Sequence, residues 1–437
     1  MCALGVFLHK KIITLSLPLV LSNISVPLLG LVNSALMGHM PTSQYLTAVA
    51  LGATAVNFIS YLFYFLRMST TGAVAQAYQS GDFHAMRLWL YRGLLTAVVI
   101  GVLLIILQLP IAILIQHLVH IQPDVAALFQ SYFHIVIYLF IFVLINYVLL
   151  GFFIAVQRAF LALVMALITN ILGIVLSLFF VLGLSLDVKG VAYSGVLAQG
   201  VTALFALMFV YKFFREKKIP LLSDLRLSML FNLKEYGQFF SVNSNIFIRS
   251  VCLLVSINSF LIFSSYMGKD DLAANALLVE FAVFLSMFLD ALSNATETLV
   301  AESYVKSTKD KLKQVLKLTL SYAFSLSVVF VLIYAFIYPW IIQLLTSIES
   351  VQLVADQYVI FSIIFPLIAV FSYWLDGVYI GLLKTTTMRN AMIVSMLGYF
   401  VLVLVLWPFA NTGLWLAYLG FFVLRSITLW LPLKRFV

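Results

Sequence analysis

The sequence predicts an all-α polytopic membrane protein: twelve transmembrane helices in two six-helix lobes, related by pseudo-twofold symmetry along the membrane normal. Three observations predict it. Of the 437 residues, 64% are apolar and only 9% are charged, whereas a soluble domain carries roughly 25% charged residues to cover its water-facing surface. Apolar stretches long enough to cross a hydrocarbon core of about 30 Å recur from one end to the other. No long polar segment interrupts them, and short motifs repeat at a shift of about 226 residues.

The helices are expected at about 12–37, 44–78, 84–114, 122–154, 160–185, 188–213, 232–267, 271–304, 312–345, 351–382, 388–411 and 412–433. Several exceed the roughly 20 residues that a span needs, which implies tilt or extension beyond the bilayer. The start, Met1 to Leu15, has no small-residue cleavage site, so the first apolar run reads as a retained helix. Pro27 in that helix frees a backbone carbonyl and is a candidate hinge. Cys2 and Cys252, at a terminus and inside a helix, suggest no structural disulfide.

Loop charge sets the expected orientation. Lys10, Lys11, Arg87, Arg158, Lys212, Arg215, Lys217, Lys218, Lys306, Lys309, Lys311, Lys313, Lys384, Arg389, Lys434 and Arg435 fall on one side, against Lys189 and Lys269 on the other. The positive-inside rule then places both termini in the cytoplasm of a multi-pass protein of the plasma membrane, a bacterial inner membrane. The net charge of +9 needs no nucleic-acid partner on this reading. The loop 214–231 is the one real linker, dividing an N-lobe (1–213) from a C-lobe (232–437), and its stretch to Leu230 is amphipathic enough to lie along the inner interface. Across the two halves, Ala75-Gln76-Ala77-Tyr78 falls on Ala301-Glu302-Ser303-Tyr304. Leu149-Leu150-Gly151 falls on Leu375-Asp376-Gly377, and Arg158 on Lys384.

Charges within spans cost about 2.5–3.5 kcal/mol each and mark functional sites by default. In the first half Asp82, Asp124 and Asp187 all fall in loops. In the second, Glu280, Asp290 and Glu297 lie on the eighth predicted helix and Asp376 on the tenth, with Arg249 on the seventh as nearest counter-ion. Depth counting pairs Glu297 with Asp376, Asp290 with Arg249, and Glu280 with Asn258, a ladder that could pass or hold a cation. Four acids against one arginine cannot all stay ionised in a dry site. The structural alternative is a network in which Arg249 pins two carboxylates and fixes helices seven, eight and ten. Glu302 reads as a solvated helix end, and Arg67 as a side chain that snorkels or bonds carbonyls. The histidines show no metal spacing, and His39, His84 and His117 sit in loops or at interfaces.

The opening helix, Leu17-Pro18-Leu19-Val20-Leu21-Ser22-Asn23-Ile24-Ser25-Val26-Pro27 through Asn33 to Gly38-His39, resembles that of the DinF-like branch of the multidrug and toxic compound extrusion (MATE) family. Further matches are Leu66-Arg67-Met68-Ser69-Thr70-Thr71-Gly72, Asn243-Ser244-Asn245-Ile246-Phe247-Ile248-Arg249-Ser250, Leu289-Asp290, Leu375-Asp376-Gly377 and Met388-Arg389-Asn390, so the resemblance covers essentially the whole chain. It implies two six-helix lobes and export of lipophilic, often cationic, compounds against a proton or sodium gradient. It also implies a degenerate N-lobe cation site. Asn33 stands where the family has an aspartate, Gly173 and Ser177 where it has an asparagine and an aspartate, and Gly195 where a threonine is expected. Asn33 hydrogen-bonds but cannot carry a proton. Coupling is therefore expected to rest on Asp290, Glu297, Asp376, Glu280 and Arg249, with loss of coupling as the alternative. Asn33, Asn170, Ser177 and Arg67 are then left as polar groups of the N-lobe or a substrate cavity.

The expected ligands are small amphipathic cations and membrane lipid, with no cofactor beyond H+ or Na+, no nucleic acid and a monomeric state. A lipid-precursor flippase should carry more cavity cations for a phosphate than Arg67 and Arg249. An aspartyl protease lacks its context, because Gly377 follows Asp376 outside a Gly-x-Gly-Asp motif. No His-Glu-x-x-His, Gly-x-Ser-x-Gly or P-loop pattern occurs, which argues against hydrolase chemistry and ATP-driven transport.

Overall fold

A computed structural model describes residues 2–119, 123–220, 233–306 and 309–436. Among them are fifteen α-helices. Those of the first half are α1 (Cys2–Gly38), α2 (Ser43–Phe63), α3 (Phe65–Ser80), α4 (Phe83–Ile106), α5 (Gln108–Val119), α6 (Pro123–Val136), α7 (Leu139–Ala155), α8 (Ala159–Leu178) and α9 (Asp187–Glu216). The second half has α10 (Leu233–Ser264), α11 (Lys269–Lys306), α12 (Lys309–Leu345), α13 (Glu349–Gly381), α14 (Thr385–Leu406) and α15 (Ala410–Leu433). Among the described residues ten segments are long and apolar enough to cross a membrane, α2–α3 and α14–α15 each counted as one, and eleven if the bent pair α6–α7 is one span; dividing α14 from α15 at their 3-10 turn gives twelve. At the break after Val136, the helix bends by 46°.

Span positions agree with the hydropathy reading to within a few residues, with two corrections. The first helix begins at Cys2, ten residues before the expected start, so Lys10 and Lys11 are helical. The last two spans separate earlier, at a 3-10 turn, Trp407–Phe409. There Ala410 takes φ 50°, and a Cβ on Gly413 would lie 1.9 Å from the Leu406 carbonyl oxygen, so only glycine lets α15 fold back this closely on α14. The backbone of α1 stays helical through residue 27, while the Pro27 side chain lies outside the described ones. So does the amphipathic stretch expected after Pro220.

Packing divides the chain inside helices rather than in the 214–231 loop. One unit comprises Leu21–Phe240, the other Met1–Val20 with Ser241–Val437. The start of α1 thus belongs with the second half, where Lys11 pairs with Glu302 at 2.5 Å and the His9 ring bonds the Tyr322 hydroxyl at 2.8 Å. Glu302 is therefore an ion-pair partner and not a solvated helix end. Reciprocally, the start of α10 belongs with the first half, where Phe239 packs on Trp89 with ring centroids 5.3 Å apart.

The internal repeat recurs at atomic detail within each unit. Gly151 of α7 is pressed against the Arg67 carbonyl of α3, a Cβ there lying 2.6 Å from it. Gly377 of α13 meets the Ser293 carbonyl of α11 in the same way, at 2.4 Å. Small residues at such crossings let backbones approach closely where no hydrophobic force separates helix from lipid. Thr169 and Thr202 join their hydroxyls at 2.8 Å, as Ser395 and Thr428 do at 3.1 Å. Gln157 and Leu383, also 226 positions apart, both turn the chain with positive φ, 62° and 54°.

Candidate functional site

Three spans of the second half converge on one carboxylate. Arg249 from the middle of α10 and Arg425 from α15 both donate to Oδ2 of Asp376 on α13, forming a buried ion cluster. All three are buried, Arg425 completely (0% exposed). Sequence periodicity positions them. Gly377 seats α13 hard against α11, which brings the Asp376 turn into the helix bundle, and the apolar residues flanking Arg425 commit that helix to the membrane.

Tyr373, one turn before Asp376, extends the cluster. Arg425 lies over its ring at 5.6 Å, and its hydroxyl is within electrostatic reach of Asp290 of α11 and of Asp376. Asp290, half-buried on α11, therefore joins the same neighbourhood. Glu297, two turns further along α11, is buried at 1% exposure, in the stretch that Gly381 of α13 packs against.

The sequence-derived set is partly assembled. Arg249 and Asp376 touch, which corrects the depth count that placed them apart. Asp290 approaches through Tyr373, and Glu297 is buried on the adjoining stretch of α11. Glu280 does not join them: it is exposed on α11, and Asn258, its expected neighbour in depth, bonds its own helix at Leu254. The count of one arginine was wrong. Arg425 lies wholly inside a span, and the rule that drew attention to Arg249, a charge flanked by apolar residues, applied equally to it. The arginines pin one carboxylate between them, where the structural alternative had one arginine pinning two.

The first half holds a neutral counterpart. Ser177 on α8 donates to Asn33 of α1 at 2.8 Å and bonds Ser194 of α9 at 2.6 Å. Asn170 donates to the Ser25 carbonyl and hydroxyl at 2.8 and 2.9 Å. The sequence missed Ser194: Gly195 faces Leu139, and the hydroxyl comes from the residue before it. Gly173 packs against Leu29. Arg67 is fully buried on α3 with its guanidinium 4.7 Å from the Tyr64 ring, so it does not snorkel. The acids of this half stand at helix ends. Asp82 caps α4 through the Ala85 amide, Asp124 accepts from Gln44 in the first turn of α6, and Asp187 begins α9.

No group of three or more histidine, cysteine or acidic side chains suited to a metal occurs among the described residues. Chemically the site is one carboxylate shared by two guanidiniums.

Comparison with known proteins agrees with this architecture. The MatE family profile matches residues 18–179 and 246–412, once in each half. The DNA damage-inducible protein F of Escherichia coli (strain K12) is 34% identical over 420 residues, covering 96% of this chain and 91% of that protein. Among solved structures, an outward-facing multidrug resistance MATE family transporter of the MOP superfamily superposes with a TM-score of 0.85 at 18% identity, covering 98% of this chain and 96% of that one. A MOP superfamily transporter from Pyrococcus furiosus, described as having a binding pocket of reversed polarity, gives 0.84 at 19% identity, covering 98% and 96%. With both halves matched and a relative this similar along nearly its whole length, the chain belongs to the MatE family and is a multi-pass membrane transporter, not an enzyme.

Proposed function

We propose that this transporter exports lipophilic, often cationic, small molecules by alternating access, and that a proton or sodium gradient drives it through the carboxylates of the second half. One observation carries the reading. Buried acids inside spans, Glu297 and Asp376 with half-buried Asp290 beside them, occur in the second half, while the cluster of Asn33, Asn170, Ser177 and Ser194 in the first half is neutral. A carboxylate in a span is costly unless it performs work there, and a neutral amide or hydroxyl cannot take up and release a proton.

The fold shared with a multidrug resistance transporter supports small amphipathic cargo. A flippase for lipid-linked phosphates needs cations open to its cargo, and Arg249 and Arg425 are both engaged by Asp376. Both termini are placed in the cytoplasm by loop charge, and the working unit is a monomer in a bacterial inner membrane.

The test is efflux of ethidium, a fluorescent lipophilic cation, from proteoliposomes under an imposed proton gradient and then a sodium gradient. Gradient-driven efflux in the wild type, lost in Asp290→Asn and Glu297→Gln, is the expected result. Efflux that ignores both gradients, or that both variants sustain at wild-type rates, would overturn the coupling assignment.

A further inference from the structure

We propose that Arg425 is a tethered competitor of the coupling cation: its guanidinium occupies Asp376 in the resting site, and a cation binds there only as Arg425 lets go, so that ion binding frees α15 from α13. This rests on the coupling reading above and assigns to a named residue the step that turns ion binding into helix movement.

The geometry points to a releasable contact. Both arginines donate to the same Oδ2 of Asp376, so each partly duplicates the other, and losing one leaves the carboxylate paired. Arg425 uses only Nη2 in this bond. Its Nε and Nη1 are buried and meet no acceptor among the described residues. A buried guanidinium with two of three nitrogens unbonded is poorly satisfied where it stands, and a second position that offers acceptors is within its means. Arg249, by contrast, comes from α10 and makes interactions besides its bond to Asp376.

The surroundings contain what a competition needs. Around Asp376 stand Arg249 from α10, Arg425 from α15, Tyr373 on α13 itself and Asp290 of α11 across Tyr373. Beside Asp376 in sequence, Trp374 donates to the neutral Thr319 of α12. The charged residue of α14, Arg389, is held by Asn245 and Asn390 at the start of its helix. Two fixed positive charges on one carboxylate exclude a third cation by Coulomb repulsion in a low-dielectric interior. Departure of one guanidinium removes that barrier.

The experiment measures ion dependence and transport separately in Arg425→Gln and Arg425→Lys. Ethidium efflux in proteoliposomes is recorded against sodium and proton concentration. In parallel, radioactive sodium binding and proton uptake are measured on the same purified, monodisperse protein. Without its competitor, Arg425→Gln should bind the coupling cation about tenfold more tightly or better, while gradient-driven efflux at saturating cation falls to roughly a tenth or less. Arg425→Lys, which keeps the charge but not the planar fork, should recover part of both. Unchanged ion dependence in folded Arg425→Gln would overturn the proposal, as would a parallel loss of ion binding and efflux, the mark of a purely structural arginine. If the wild type shows no gradient-driven efflux, the coupling reading fails, and the binding arm still decides the role of Arg425 by whether the variant differs from wild type.

Discussion

The two halves are built on one packing scheme and filled with opposite polar chemistry. Where α13 of the second half carries Tyr373 and Asp376, α7 of the first carries Tyr147 and Leu150. Opposite them, α11 offers Asp290 where α3 is preceded by Tyr64. The Arg425 position is Gln199, whose amide oxygen takes a bond from Asn146 at 2.7 Å. In the first half Tyr64 and Tyr147 meet edge-on at 5.1 Å, an aromatic pair in place of an acid and a tyrosine. Helix crossings tolerate such exchange because they depend on small residues and hydroxyls at the contact, not on the residues beside it. The lesson is that the repeat conserves backbone approach, while the charge placed next to it sets what each half can bind.

The largest test of that contrast removes the carboxylate. Asp376→Leu leaves Arg249 and Arg425 buried without their counter-charge and should cost about 3–5 kcal/mol, read as a lower thermal midpoint in detergent. Replacing the triad together, Arg249→Met with Asp376→Leu and Arg425→Met, should restore the midpoint and leave a folded protein without ion dependence. A triple variant as unstable as the single one would show that the cluster holds the half together by more than charge balance.

The packing side of the comparison is sharpened by Gly151→Ala and Gly377→Ala. Each adds a methyl closer than 3 Å to a backbone oxygen, and each should destabilise by about 1–3 kcal/mol. If only one of the two does, the crossings are not equivalent. Ser177→Ala removes the hydroxyl that links Asn33 to Ser194 and should cost about 1 kcal/mol. Its effect on ethidium efflux should stay within about threefold, a contrast with the acids of the other half; a loss as deep as that of Glu297→Gln would return the coupling site to the first half. The smallest effect belongs to Thr202→Val and Thr428→Val, each about 0.6 kcal/mol by the average for hydrogen bonds between membrane helices, and equal if the repeat holds there.

The fold was highly legible because bilayer thickness dictates span length, and hydropathy reports it directly. The breaks before Phe65 and after Val136 were not, since neither proline nor glycine marks them; the break after Ile106 did carry a mark, Pro110, which has no N–H for the Ile106 carbonyl and crowds it with its ring. Asp376, Arg249 and Glu297 announced themselves as charges in apolar helices. Arg425 carries the same signal, a charge flanked by apolar residues in the last helix. The pairing itself could not be read from depth, because helix tilt shifts apparent depth and long arginine side chains reach across a turn. Ser194 escaped for a different reason: it stands beside Gly195, and which of the two faces the site turns on one step of about 100° around the helix.

The docking of the start of α1 onto the second half has a consequence for how the protein is made. Lys11 and its partner Glu302 are separated by 291 positions, and at roughly 5–20 residues per second that is about 15–60 s of synthesis. In that interval α1 must wait in the bilayer before Lys11 can reach this carboxylate on α11. A nascent chain halted after the first half therefore holds an α1 whose contact with the second half cannot yet form, and α12 to α15 still follow once it has.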